Sequence, residues 1–359
     1  MRIKRSPLYR IAAQLPYEID DHCIEELRSL SDNIERHPFK NLVAVIYYSL
    51  KNSDSLKHLP SELRKRLKGL YLNSISLDMR QRGWLENFIK NRLPEDIPII
   101  LLKGSASWGT IYPPEAPRTG CDIDILVRDS DFETITRIMN SIAKKVILDK
   151  SRIFSNRIAY EFAYTVEDYS ISVEIHKRLS YPFIGNVDYN RLFDESELHP
   201  YYKDNRIRIM RPIDRLMHIL IHSIKHADIS THEIVDTYLI IKKYRLDPYS
   251  IYTGARDYGL SQYSLHFLKE VFELMGEYED FDIDKYVANK RIFRLSERVF
   301  NILHREEHRI GFRKRQLISL LLLDRMSNVY RFLNFYIGLR VRDALLYRYP
   351  EIFGYFYEK

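Results

Sequence analysis

The sequence predicts an α+β fold, in which a small mixed or antiparallel sheet with helices is flanked by helical N-terminal and C-terminal regions. Two observations lead to this prediction. Runs with strand character cluster in the middle of the chain, at 96–104, 121–129, 157–166 and 169–179. On both sides of them, apolar residues recur at the three- and four-residue steps of amphipathic helices.

The first region, residues 1–94, is predicted to be helical. The segments IDDHCIEELRSL and SLDMRQRGWLENFIKNRL have apolar residues at helical spacing, and NLVAVIYYSLKN is a short apolar helix or strand.

The second region, residues 95–210, is predicted to be the α+β core. DIPIILLKG is a continuous apolar run closed by glycine, which predicts a buried strand ending in a tight turn, and CDIDILVRD predicts a second strand by alternation. A helix follows, for which Ser130 and Glu133 predict a capping box. RIAYEFAYTV and YSISVEIHKRL predict an antiparallel pair, and NRIRIM predicts a short further strand.

The third region, residues 211–359, is predicted to be a helical domain packed on the sheet. PIDRLMHILIHSIKHA begins with the proline that favours a helix start. Amphipathic segments continue in HEIVDTYLIIKKY, SQYSLHFLKEVFELMGEY, RIFRLSERVFNILH and RKRQLISLLLLDRMSNVYRFLNFYIGLRVRDALLY.

Bulk composition limits the class of protein. A hydrophobic content of 45% is ample for packed cores, and the net charge of +7 favours polyanionic partners such as nucleotides. The longest apolar runs are far shorter than the ~20 residues that cross a bilayer, and the basic N-terminus has no apolar segment of a signal peptide. We therefore expect no membrane span and a cytoplasmic location. Two cysteines, Cys23 and Cys121, are too few for a disulfide framework.

Three carboxylates are the candidate catalytic and metal-binding residues. Side chains alternate along a strand, so Asp122 and Asp124 project to the same side of the predicted second strand. Glu174 lies in a later apolar strand, on the same face as His176, and can meet the aspartates from a neighbouring strand. Carboxylate oxygens in this arrangement suit hard divalent cations and the two-metal chemistry of phosphoryl displacement. The alternative is that the aspartates are surface residues of an edge strand.

The segment LLKGSASWG supplies a candidate nucleotide-binding turn. Gly104 and Ser105 follow the predicted first strand, where backbone N–H groups and the start of the next helix can hold phosphates. Lys103 and Arg118 add positive charge, and they either contact phosphate or neutralise the carboxylates.

This order of motifs resembles the nucleotidyltransferase superfamily of DNA polymerase beta, which has a Gly-Ser turn, Asp-x-Asp on the next strand and a later carboxylate. The segments IPIILLKG, YPPEAPRTGCDIDILV and VEIHKRL look more closely like an uncharacterised nucleotidyltransferase family, and the similarity continues into LMHILIHSIKHADISTHEIVDTYLII, covering roughly residues 40–260. The resemblance implies a nucleotidyltransferase sheet, magnesium bound by Asp122, Asp124 and Glu174, and a nucleoside triphosphate held by Gly104 and Ser105. The sixteen residues between Ser105 and Asp122 are a longer connection than the simplest members have.

We therefore expect a nucleotidyltransferase that uses Mg²⁺ or Mn²⁺ and moves a nucleoside monophosphate from an NTP to an acceptor, releasing pyrophosphate. A small-molecule or protein acceptor is favoured, and RNA is the alternative, including tRNA modified by a toxin-like enzyme. A further alternative is a catalytically silent nucleotide-binding or scaffold module, against which the presence of all three carboxylates argues.

Other signals are weaker. His218, His222 and His226 lie on one helix face, as zinc ligands can, but packing against the active-site face is favoured. HREEH at 304–308 matches an inverted zinc-protease pattern by chance. Basic residues of the C-terminal helices form either a solvated face or an RNA-binding surface: Arg309, Arg313, Lys314, Arg315, Arg325, Arg331, Arg340, Arg342 and Arg348.

Overall fold

The fold is known from a computed structural model. It describes residues 6–277 apart from 16, 18, 119, 121, 146–160, 182–183 and 227, together with 294, 296–301, 322–324 and 330.

The described strands form one mixed sheet of seven strands. They are β1 Ile99–Leu101, β2 Asp122–Leu126, β3 Lys144–Lys145, β4 Glu161–Val166, β5 Ile171–His176, β6 Glu197–Leu198 and β7 Ile207–Ile209. The strand order is β3-β4-β5-β2-β1-β7-β6, in which β2–β5 and β1–β7 are parallel pairs and the other neighbours are antiparallel. The predicted mixed sheet is therefore confirmed, with β2 near its centre.

Helices surround the sheet. In the described residues they are α1 Pro7–Ala12, α2 Asp21–Asp32, α3 Val43–Asn52, α4 Ser61–Asn91, α5 Lys103–Ser107, α6 Phe132–Ile142, α7 Tyr189–Asp194, α8 Pro212–His226, α9 Thr231–Tyr244, α10 Pro248–Asp257 and α11 Ser261–Met275. The helical flanks on both sides of the sheet agree with the predicted α+β class. None of the described helices is both long enough and apolar enough to cross a membrane.

The two faces of the sheet are buried against different helices. Ile123 and Ile125 of β2 pack with the C-terminal half of α4 and with α6, because successive side chains of a strand point to opposite faces. Leu126 belongs to the other hydrophobic cluster, which contains residues of α8, α9 and α11. Asp122 and Asp124 have the same strand parity as Leu126, so they lie on the face that is turned towards α8 and α9.

The N-terminal and C-terminal helical regions pack together. Leu8 and Ile11 of α1 belong to the same buried cluster as Phe272 and Met275 of α11, and Arg10 Nη1 donates to the Met275 carbonyl at 2.7 Å. One hydrophobic core thus joins the two flanking regions. The division of the chain into regions at residues 94 and 210 stays a prediction.

Two local predictions are resolved by the structure. The segment NLVAVIYYSLKN forms the helix α3. The predicted capping box at Ser130 is wrong: α6 begins at Phe132 with Asp131 as its N-cap, and the Ser130 hydroxyl lies 3.0 Å from the Asp131 carboxylate. The short polar side chain bonds to its neighbour instead of capping a helix. The segments predicted as C-terminal helices beyond residue 277 lie largely outside the described residues.

We predict that Arg206→Met lowers the free energy of unfolding by about 2–3 kcal/mol, because removal of the charged donor leaves buried backbone carbonyls without a hydrogen-bond partner. Arg206 bonds to the carbonyls of Ile89 and Leu93, at 3.1 and 2.7 Å, where α4 ends, and its guanidinium also pairs with Asp204 at 2.6 Å. Urea unfolding followed by circular dichroism measures the loss.

Arg137→Met is the control for this substitution. Its side chain is 74% exposed and makes a helix-surface pair with Glu133, so the change should be within about 0.5 kcal/mol. Equal effects of the two substitutions would show that Arg206 does not hold the end of α4 to the sheet.

Candidate metal and nucleotide site

The central strand pair brings two carboxylates side by side. In the parallel register of β2 and β5, Asp124 is paired with Glu174, and Leu126 with His176. Because residues two apart on a strand share a face, Glu174 and His176 project to the same side as Asp124. This is the meeting of Asp124 and Glu174 that alternation in the sequence predicted.

Three side chains lie close enough to hold one metal ion. A carboxylate oxygen of Asp124, one of Glu174 and a ring nitrogen of His176 all lie within 4.8 Å of one another. His176 Nε2 is 3.0 Å from Asp124 Oδ1 and 3.4 Å from Glu174 Oε2. Asp122 lies outside this group, so the third donor that the structure brings in is His176 rather than Asp122.

The ammonium of Lys103 sits among the same carboxylates. Lys103 Nζ lies 2.5 Å from Asp124 Oδ1 and 3.7 Å from Glu174 Oε2. The backbone of Lys103 is in the left-handed region, with φ of 45°, which non-glycine residues adopt rarely and which is found at functional sites. Lys103 therefore occupies the position where a cation is needed.

The carboxylates differ in their proton affinity because their neighbours differ. Burial would raise the pKa of Asp124, but the charge of Lys103 and the hydrogen bond to His176 hold it well below its usual value. Burial raises the pKa of Asp122 to about 6, and the nearby charge of Asp124 adds to this effect. Asp124 is thus the anion around which the site is built.

A fourth carboxylate, which sequence reasoning missed, borders the site from the next strand. Glu161 of β4 is paired in register with His176, and its Oε2 lies 3.4 Å from His176 Nδ1. Lys225 of α8 reaches the same oxygen at 3.2 Å. Alternation placed Glu161 on a strand, but only the strand pairing shows that it faces His176.

The predicted nucleotide-binding turn lies directly beside these groups. Gly104 and Ser105 are part of the short helix α5, and the Ser105 hydroxyl is buried and donates to the Leu102 carbonyl at 2.7 Å. A methyl group at Gly104 would lie 2.8 Å from Arg118 Nη1, so the glycine leaves room for the Arg118 guanidinium. Any contact of the turn with a ligand must come from its backbone or from Lys103.

Arg118 is buried and paired with a carboxylate. Its Nε lies 3.1 Å from Asp236 Oδ2 of α9, and Asp236 also accepts a hydrogen bond from the Tyr112 hydroxyl at 2.6 Å. Lys103 therefore neutralises the predicted catalytic carboxylates, which is one of the two roles that the sequence left open, whereas Arg118 neutralises a different carboxylate, Asp236. Phosphate contact stays a prediction for both.

A cavity of about 470 Å³, including its open part, lies between α5, α8 and α9. Its polar wall consists of Lys103, Ser107, Arg118, Arg215, His218, His222, His232, Glu233 and Asp236. The cavity begins at Lys103, beside the carboxylates, and extends between the two helices.

Two of the three spaced histidines of α8, His218 and His222, line this cavity. His222 Nδ1 lies 2.7 Å from Glu233 Oε1, and its ring centroid is 4.3 Å from that of His226. Burial lowers the pKa of His218, His222 and His226, so their rings are neutral at pH 7. In the described part of the chain, none of the three belongs to the group of side chains that could hold a metal ion.

Two further sequence signals fall outside the described residues. The HREEH segment at 304–308 is one of them, and the basic residues of 309–348 are the other. Both interpretations therefore stay predictions.

We predict that Lys103→Met raises the affinity of the protein for Mn²⁺ by about tenfold or more, because the ammonium that competes for the same carboxylates is gone. Without added metal, the variant should be less stable than the wild type. Calorimetric titration with Mn²⁺ measures the affinity, and Lys68→Met, at an exposed position of α4, is the control. Unchanged or weaker Mn²⁺ binding in Lys103→Met would contradict the assignment.

Comparison with known proteins identifies the family of the chain. Residues 35–276 match the family described as uncharacterised nucleotidyltransferase, and the match contains the carboxylates, the Gly-Ser turn and both helices that line the cavity. No curated protein and no solved structure matches the chain. Because the match covers more than half of the sequence, the chain belongs to this nucleotidyltransferase family.

Proposed function

We propose that this protein is a metal-dependent nucleotidyltransferase that moves a nucleoside monophosphate from an NTP to an acceptor and releases pyrophosphate. One observation carries the proposal: Asp124, Glu174 and His176 converge on one face of the central strands, beside Lys103 of the cavity wall, in a chain of the nucleotidyltransferase family.

The residues present fit a divalent cation. Carboxylate oxygens are the ligands that Mg²⁺ prefers, and Mn²⁺ also accepts an imidazole nitrogen. We propose that Asp122 and Asp124 would hold two ions, and that Glu174, with His176 as a further donor, would complete the ion that serves the acceptor. A bound divalent cation would neutralise phosphate charge and polarise the phosphoryl oxygens.

The exposure of the two carboxylates suggests which of them acts on the acceptor. Glu174 is less enclosed than Asp124, with a side chain that is 23% exposed against 2%, so we propose that Glu174 orients the acceptor and takes its proton. In the transfer, the acceptor oxygen forms a bond to the α-phosphorus, and the bond from that phosphorus to the bridging oxygen of the β-phosphate breaks. The electron pair leaves with pyrophosphate.

We propose that the nucleotide enters through the cavity. The backbone of Gly104 and Ser105 and the cations Lys103 and Arg118 are placed where they could contact its phosphates. The family implies a nucleotide substrate, and an overall charge of +7 favours the approach of a polyanion.

A small molecule or a protein is the acceptor that we propose. The arginines of 309–348 fall in predicted amphipathic helices, where they can serve as a solvated face. RNA, including tRNA as the target of a toxin-like enzyme, is the alternative that the basic C-terminal sequence favours.

The experiment that tests the function follows the label of each NTP. The protein is incubated with total cell extract, Mg²⁺ or Mn²⁺, and ATP, GTP, CTP or UTP labelled at either the α- or the γ-phosphate. Transfer of the α-label to an acceptor, with the γ-label released as pyrophosphate and no transfer by Asp124→Asn, is expected. Digestion of the product by protease or RNase then identifies the acceptor class.

Transfer of the γ-label instead of the α-label would show a phosphotransferase. If no α-labelled NTP gives a labelled product, the alternative of a nucleotide-binding module without turnover is favoured.

We predict that Glu174→Gln lowers the turnover rate by about a hundredfold or more while the Kd of the NTP changes by less than about threefold. The reason is that Glu174 is assigned to the acceptor and not to the triphosphate. Single-turnover kinetics and equilibrium binding separate the two effects. Glu167→Gln, at an exposed position of the same hairpin, is the control, and an equal loss of binding and rate would show that the assigned role is wrong.

A further inference from the structure

One buried arginine of the cavity wall has no carboxylate partner. Arg215 of α8 is 5% exposed, and in the described part of the chain no carboxylate oxygen lies within 4.0 Å of its guanidinium. Its partners are neutral: Nη2 donates to Thr110 Oγ1 at 3.2 Å and Nη1 to the Tyr244 hydroxyl at 3.4 Å. These bonds use two of the five N–H donors of the side chain.

A second cation meets the same threonine. Lys243 of α9 donates from Nζ to the Thr110 carbonyl, and it too has no carboxylate partner within 4.0 Å among the residues described. Arg215 and Lys243 therefore converge on Thr110 from two helices, although like charges repel.

Other arginines near this region are paired. Arg191 and Arg211 lie 3.0 and 2.8 Å from Asp214, and Arg118 lies 3.1 Å from Asp236. An isolated buried charge costs several kcal/mol, so proteins pair such groups or leave them for a ligand. Arg215 departs from the pattern of its neighbours.

The carboxylates of the cavity wall are engaged elsewhere. Asp236 is held by Arg118 and Tyr112. Glu233 accepts hydrogen bonds from the Ser230 backbone and hydroxyl, at 2.7 and 2.8 Å, and meets His222. Asp236 and Glu197 act on Arg215 only over a longer distance. A positive charge is thus left over on the side of the cavity formed by Arg215.

We propose that Arg215 of the cavity wall forms an anion site that binds the phosphate chain of the NTP, and that the exposed Lys243, which meets Arg215 at Thr110, adds a second positive charge. Arginine donors match the geometry of phosphate oxygens. Because the Ser105 hydroxyl is used inside the fold, this site supplies the side-chain donors that the Gly-Ser turn does not. The inference rests on the proposed function, since it assigns the position of its substrate.

The test is calorimetric binding of inorganic tripolyphosphate to the full-length protein in metal-free buffer. Arg215→Met is expected to raise the Kd by about tenfold or more, Arg215→Lys by less, and Lys243→Met by about threefold. Lys242→Met, the exposed neighbour that pairs with Glu277, should bind as the wild type does. Equal affinities in all variants would overturn the proposal.

Stability without ligand separates binding from a structural role. If the role of Arg215 is to bind an anion, Arg215→Met should be at least as stable as the wild type in phosphate-free buffer, since an uncompensated charge is removed. Unfolding or a marked loss of stability in Arg215→Met would assign it a structural role and contradict the proposal. Tripolyphosphate should stabilise the wild type and not the variant.

Competition identifies the source of the phosphate. Displacement of tripolyphosphate by an NTP supports the assignment, whereas displacement only by phosphorylated acceptors from an extract would overturn it. Nucleotidyl transfer with an unchanged KM for NTP in Arg215→Met would sink this inference and leave the proposed function intact. NTP binding that depends on Arg215, in a protein that transfers no nucleotide, would support this inference and contradict the proposed function.

Discussion

The central constraint on the structure is that two carboxylates, which neighbouring strands hold side by side, require positive charge next to them. Asp124 is almost completely buried in the centre of the sheet, with Glu174 in register beside it. Two like charges at this distance would repel and would be costly to desolvate. Lys103 and His176 both approach them, and the left-handed backbone of Lys103 places its ammonium there. The fold has thus built a position for positive charge, which a divalent cation can also satisfy.

The helices complete the site because the carboxylate face of the sheet is turned towards them. Lys225 of α8 reaches Glu161 at the edge of the carboxylate group, and Asp236 of α9 pairs with Arg118. The same two helices line the cavity that begins at Lys103. Most charges in this interior are balanced by a partner within the fold, so the surplus at Arg215 points to a charge that a ligand brings.

Much of the site could be predicted from the sequence because its determinants are local. Alternation alone places Asp122 and Asp124 on one face, and it places Glu174 with His176. The register between β2 and β5 is a long-range property, so the inclusion of His176 rather than Asp122 in the candidate metal-binding group needed the structure. The same holds for Glu161 and Arg215, whose roles depend on contacts between distant segments. The capping box at Ser130 failed for a local reason, since its hydroxyl bonds to Asp131.

The most direct test of the account is to locate Mn²⁺ by anomalous diffraction in crystals of the protein grown with the ion and a non-hydrolysable NTP. The account predicts an anomalous peak bounded by Asp124, Glu174 and His176, with the Lys103 ammonium displaced from Asp124 and the phosphates extending into the cavity between α8 and α9. A peak elsewhere, or Lys103 still paired with Asp124 and no ion on the carboxylates at saturating Mn²⁺, would contradict it.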